Sequence, residues 1–73
     1  MTMIEWTRLP RGTYRYSRDG MTADVWQVAG KGWLWAVYAG THNYVADVVD
    51  AHQGIYQPTL DAACELALKV MHI

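Results

Sequence analysis

Thr13-Tyr14-Arg15-Tyr16-Ser17-Arg18-Asp19-Gly20-Met21-Thr22-Ala23-Asp24-Val25-Trp26 is the stretch that decides the fold. Two alternating runs flank Asp19-Gly20, and an Asp-Gly pair suits a type I′ turn because both central positions need positive φ. As a two-residue turn it sets the strand register. Arg18 then faces Met21, Tyr16 faces Ala23, Tyr14 faces Val25 and Arg15 faces Asp24. The last pairing sets opposite charges directly across from each other, which supports the same register independently.

Outward from that hairpin the punctuation continues. The run from Met21 to Ala29 ends at Gly30-Lys31-Gly32, and the run from Trp33 to Ala39 ends at Gly40-Thr41-His42-Asn43. A fourth run, Tyr44 to Val49, ends in Asp50-Ala51-His52-Gln53-Gly54, and Ile55-Tyr56 is a candidate short fifth strand. After Pro58 the period changes from two to that of a helix. Apolar residues fall at Leu60, Ala63, Cys64, Ala67, Leu68 and Met71, with Asp61, Glu65, Lys69 and His72 opposite. Thr59 is the expected N-cap, and Asp61 lies in the first turn at the positive end of the helix dipole. The expectation is a single α+β domain over residues 1–73, an antiparallel meander of four to five strands with one C-terminal helix packed on one face. Its strands span about 13–18, 21–29, 33–39 and 44–49, and its helix about 59–72.

The helix stripe is small-sided and suits a sheet face rich in alanine. With Gly30-Lys31 as a second two-residue turn, Val28 faces Trp33, Trp26 faces Trp35 and Asp24 faces Val37. Tyr14, Tyr16, Ala23, Val25, Leu34, Ala36 and Tyr38 then share the helix side. Arg15, Trp26, Trp33 and Trp35 share the other, with nothing left to cover them. Contiguous exposed apolar patches mark interfaces, and Trp and Arg dominate binding hot spots. A three-residue loop at Gly30-Lys31-Gly32 is the alternative; it moves Trp33 and Trp35 to the helix side and leaves Trp26 opposite.

Composition bounds the rest. The chain has 73 residues, a net charge of −1, one cysteine, and four tryptophans with five tyrosines but no phenylalanine. A domain of this size is marginal on its own, so a partner, including a second copy as a homodimer, is an expectation. The single Cys64 cannot form an internal disulfide and, on the apolar helix stripe, reads as a buried structural thiol. Met1 to Trp6 lacks the pattern of a signal peptide. The longest apolar run, Trp33 to Ala39, falls far short of the about 20 residues of a membrane helix. A cytoplasmic location and no membrane association are expected.

Arg8, Arg11, Arg15 and Arg18, interleaved with Trp6, Tyr14 and Tyr16, form the one basic cluster, in a segment with only Glu5 and Asp19 as acids. Arginine beside stackable aromatics on a sheet is a mode of single-strand nucleic-acid binding. The near-zero overall charge weighs against it. His42, His52 and His72 match no metal-ligand spacing. There is no phosphate loop, nucleophile–base order or paired-carboxylate pattern. No enzyme activity, cofactor or metal is expected.

Gly32-Trp33-Leu34-Trp35-Ala36-Val37-Tyr38, followed by Pro58-Thr59-Leu60-Asp61-Ala62-Ala63, resembles small phage- and prophage-encoded proteins in which a Trp-bearing strand precedes a capped helix. Anti-defence inhibitors such as anti-CRISPR proteins are of this kind. The resemblance implies a phage protein that blocks a host protein complex sterically in the host cytoplasm. The leading expectation is thus a protein-binding inhibitor using Trp26, Trp33, Trp35 and Arg15. The alternative is nucleic-acid binding through Trp6, Arg8, Arg11, Tyr14, Arg15, Tyr16 and Arg18.

Overall fold

Asp19 and Gly20 adopt φ of 53° and 77°, the two positive values that a type I′ turn requires. In the computed structural model, which describes residues 6–40 and 47–72, they join strand β2 (Tyr14–Arg18) to β3 (Met21–Val28). The register is the expected one, with Tyr14, Arg15, Tyr16 and Arg18 opposite Val25, Asp24, Ala23 and Met21. β4 (Gly32–Ala39) and β5 (Val48–Ala51) follow, and a two-residue strand β1 (Thr7–Arg8) precedes them. The sheet is antiparallel throughout in the order β1-β2-β3-β4-β5, and helix α1 (Leu60–Val70) lies against β3 and β4.

The second hairpin differs from the two-residue turn set out above. Lys31 N–H donates to the Val28 carbonyl at 3.0 Å, and Gly30 takes φ of 76° at the third turn position. Val28 therefore faces Gly32, leaving Ala29, Gly30 and Lys31 as the loop. Val25 pairs with Trp35, Trp26 with Leu34 and Gln27 with Trp33. A one-residue slip turns every side chain of a strand to the other face. Trp33, Trp35 and Val37 thus belong to the helix side, and Leu34, Ala36 and Tyr38 to the open side. The three-residue alternative had the correct faces but placed its loop one residue too late.

Gly32 shows why the strand begins there. The Gln57 backbone pairs with Trp33, giving N–H···O distances of 2.8 and 2.9 Å, and runs across the end of β4. Only a residue without a side chain leaves it room.

The core lies between sheet and helix. Ala23, Val25, Val37, Ala63, Cys64 and Ala67 are fully enclosed, joined by Tyr16, Trp35 and Met71. Alanines on both surfaces let the helix sit close. Thr59 caps it as expected, its Oγ1 accepting the Ala62 N–H at 3.1 Å. Of the fourth expected strand, 44–49, residues 44–46 lie outside the described residues; Val48 and Val49 are strand, Asp47 is not, and the strand runs on through Asp50 and Ala51. Asp50, read as opening a turn, faces Val37, and its carboxylate accepts the Ala51 N–H at 2.8 Å. The expected short strand at Ile55-Tyr56 is a single bridge at Gln57. Among the described residues, no helix is long and apolar enough to cross a membrane.

Candidate functional site

Three surfaces remain once the helix has covered the middle of one sheet face. The first is the open face. There Arg15 grips Asp24 with both arms of its guanidinium, Nε to Oδ1 at 2.7 Å and Nη2 to Oδ2 at 3.0 Å. The Asp24 side chain is almost wholly enclosed, while that of Arg15 keeps 32% of its surface exposed. That bond holds the guanidinium pKa above its usual value, against the opposing effect of burial. Tyr38, half-buried nearby, has its phenol pushed up by burial and then by the Asp24 charge. Leu9, Pro10, Arg11 and Thr13 wall a cleft of about 360 Å³ over the ion pair. Trp26 sits on the same face, with the His52 ring edge-on at 5.8 Å.

The second surface is a cleft of about 400 Å³ at the end of the sheet, lined by Arg8, Arg11, Gly12, Tyr14, Trp26, Gln27 and Trp33. Register explains the grouping. Arg8 faces Tyr14, Tyr14 faces Val25, and Gln27 faces Trp33. Side chains alternate along a strand, so Arg8, Tyr14, Gln27 and Trp33 share one face, the helix side, where Tyr14 and Trp33 are partly buried against the core. The Tyr14 and Trp33 rings lie 6.3 Å apart, tilted by 58°. The slipped hairpin is what brings Trp33 to this place.

The third surface is the β5 side. Among the described residues, the exposed large apolar side chains are Val48, Val49, Ile55 and Tyr56, with Ile55 63% exposed. Val48 and Val49 belong to the edge strand, and Ile55 and Tyr56 to the segment returning from it toward α1. The Lys31 ammonium stands 5.8 Å from the centre of the Tyr56 ring.

The expected residues are therefore dispersed. Of Trp26, Trp33, Trp35 and Arg15, only Trp26 and Arg15 lie on the open face; Trp26 also lines the sheet-end cleft with Trp33, and Trp35, only 7% exposed, is core. An exposed three-tryptophan patch is overturned by the register of β4. Of the basic cluster, Arg8, Arg11 and Tyr14 meet at the cleft. The Trp6 and Tyr16 rings, 5.6 Å apart and tilted by 32°, lie against the core, Arg15 is held by Asp24, and Arg18 stands beside Asp19 at the far turn. The β5 surface went unread because Val48 and Val49 looked like the end of a strand rather than its exposed edge.

Cys64 is enclosed, and burial, then the Asp61 charge, push its thiol up to about 12, far from the range of a nucleophile. His52 accepts the Gly54 N–H at Nδ1 (2.8 Å), and His42 lies outside the described residues. Among the described residues no group of three or more metal-binding side chains comes together. Comparison with known proteins finds no matching family model, no matching curated protein and no matching solved structure.

Proposed function

We propose that the chain is a non-catalytic protein-interaction module that docks a partner along β5. The exposed run of Val48, Val49, Ile55 and Tyr56 carries this reading. An edge strand presents unpaired backbone groups, and exposed β-branched side chains on it suit an extended segment added as a further strand. Tyr56 and the adjoining open face, with Trp26 and Tyr38, extend the contact with residue types that anchor interfaces.

The charge pattern says which kind of partner fits. Asp47-Val48-Val49-Asp50 is an apolar pair between two acids. In a symmetric pairing of two copies that sets valine against valine, Asp47 of one copy opposes Asp50 of the other, and like charges directly opposite destabilise. A strand with an apolar centre and basic flanks from a different protein fits better than a homodimer. The resemblance to phage anti-defence proteins supplies the kind of partner: a host protein complex, blocked by occupation of its surface. Asp50 limits the edge, since its carboxylate already takes the Ala51 N–H.

Capture from host lysate, comparing the native chain with a Val49→Glu, Ile55→Glu double variant, tests the reading. The partner is retained by the native chain and by an Arg8→Ala, Arg11→Ala control, and lost by the double variant. Equal retention by all three overturns docking at β5. Light scattering is expected to give a monomer.

A further inference from the structure

Ile55 and Tyr56, exposed beside β5, are held between two fixed points. At one end the Gln57 backbone pairs with Trp33 at 2.8 and 2.9 Å. At the other is the turn His52-Gln53-Gly54-Ile55, in which Ile55 N–H donates to the His52 carbonyl at 2.9 Å. Gln53 and Gly54 take φ of 56° and 78°, the pair of positive values of a type I′ turn. Gln53 holds that left-handed conformation without glycine's freedom, so the turn depends on its bonds.

His52 supplies the side-chain bond in that turn. Its backbone is fixed to β4, the N–H donating to the Trp35 carbonyl at 3.0 Å, and its Nδ1 accepts the Gly54 N–H at 2.8 Å. A ring that accepts at Nδ1 is neutral, with its proton on Nε2; an imidazolium has two N–H donors and no acceptor. Protonation therefore sets Nδ1–H against Gly54 N–H, two donors at bonding distance. Imidazole is the side chain whose charge ordinarily changes between pH 5 and 8. The Trp26 ring, 5.8 Å away and perpendicular to the imidazole, gives the charged ring a π-system to turn toward.

The neighbouring charges are otherwise engaged. On β5 the Asp50 carboxylate takes the Ala51 N–H, and Asp47 stands before the far end of the strand. On β3, Asp24, two residues from Trp26 on the same face, is held by Arg15. On β4, Tyr38 presents a phenol that burial keeps protonated, and in the loop before it Lys31 stands over Tyr56. Among the described residues no carboxylate makes an ion pair with His52.

We propose that His52 is a pH-sensitive latch on the β5 docking surface. Neutral, it closes the turn and sets Ile55 and Tyr56 beside the edge strand; protonated, it releases them, so docking weakens in acid. The latched state binds one proton fewer, so its hold is full above the imidazole range and is lost as the pH falls through it. The docking consequence rests on the reading of β5 given above; the latch is a property of the turn alone.

The test is an NMR titration of the native chain from about pH 8 to pH 5, beside His52→Asn and His52→Ala. Ring nitrogen shifts report the His52 tautomer and charge. The Gly54 amide reports the bond, and contacts between the Lys31 and Tyr56 side chains report the surface. The neutral native ring is expected in the Nε2–H form. As it protonates, Gly54 protection from exchange is expected to fall about threefold to tenfold, and the Lys31–Tyr56 contacts to fade with the same midpoint. An asparagine oxygen accepts the same N–H two residues on and does not titrate, so His52→Asn keeps both signals at every pH. His52→Ala lacks both throughout, while core amides on β3 and β4 stay protected in all three chains. A Gly54 amide indifferent to the His52 titration overturns the latch. So does a neutral ring in the Nδ1–H form, or an acid response of equal size in His52→Asn. Failure to capture a partner at β5 leaves these signals as they are and counts against docking alone.

Discussion

Replacing Gly32 with alanine would set a methyl group 2.5 Å from the Gln57 carbonyl oxygen, at a residue whose φ is +130°. Two costs follow. That backbone conformation is close to glycine-only and costs an L-residue about 1–3 kcal/mol. The contact is with backbone rather than a flexible side chain, so relief requires moving the Gln57 segment, an overpacking cost of about 1–3 kcal/mol more. Against a total stability of about 4–11 kcal/mol for a domain of this length, Gly32→Ala removes a large share. Gly30→Ala is the internal control. Gly30 also has positive φ, at +76°, but a Cβ there meets nothing within 4 Å. The difference between the two variants isolates the close approach of Gln57, on which the β4 register and the entry to α1 depend. Urea unfolding at constant m-value measures both. Gly32→Ala is expected to cost at least about 1 kcal/mol more than Gly30→Ala. Equal losses would refute the reasoning, because the Gln57 backbone would then not be packed on Gly32.

Arg15→Ala strands the enclosed Asp24 carboxylate without its guanidinium. A loss of about 2–4 kcal/mol is expected in urea unfolding, below the value for a fully buried pair because Arg15 is about a third exposed. Asp24→Ala, which leaves an arginine able to reach water, should cost less, and a loss under about 0.5 kcal/mol for Arg15→Ala would contradict the pairing. Cys64 titrates from 9.0 in the unfolded chain to about 12 in the folded one, so the folded state holds its proton more tightly. Its contribution to stability is full below pH 9 and is lost as the pH rises toward about 12, and Cys64→Ala should flatten that decline. The thiol should resist a disulfide reagent at pH 8 until the chain is unfolded.

Local chemistry was legible wherever one short signal decided the geometry. Asp19-Gly20 dictated a two-residue turn and therefore the Arg15–Asp24 pair, and Thr59 with the stripe from Leu60 to Met71 dictated the helix. Gly30-Lys31-Gly32 was ambiguous, because either a two- or a three-residue loop suits it. The contact that separates them is Gln57 against Gly32, across a gap in sequence that no local pattern spans. That single residue moved Trp35 into the core and Trp33 to the cleft. β1 is two residues long, too short for an alternating pattern, so Arg8 could be placed near Tyr14 only by the fold. The exposure of Val48 and Val49 depends on β5 being an edge, which strand order alone reveals.

The claim that β5 is the docking surface is tested most directly by photocrosslinking. A photoreactive residue replaces Val49 on the edge in one variant and Lys69, exposed on α1, in another, and each is irradiated in host lysate. A discrete partner adduct from position 49, absent from position 69, is the predicted result. Adducts from position 69 alone, or equally from both, would contradict it.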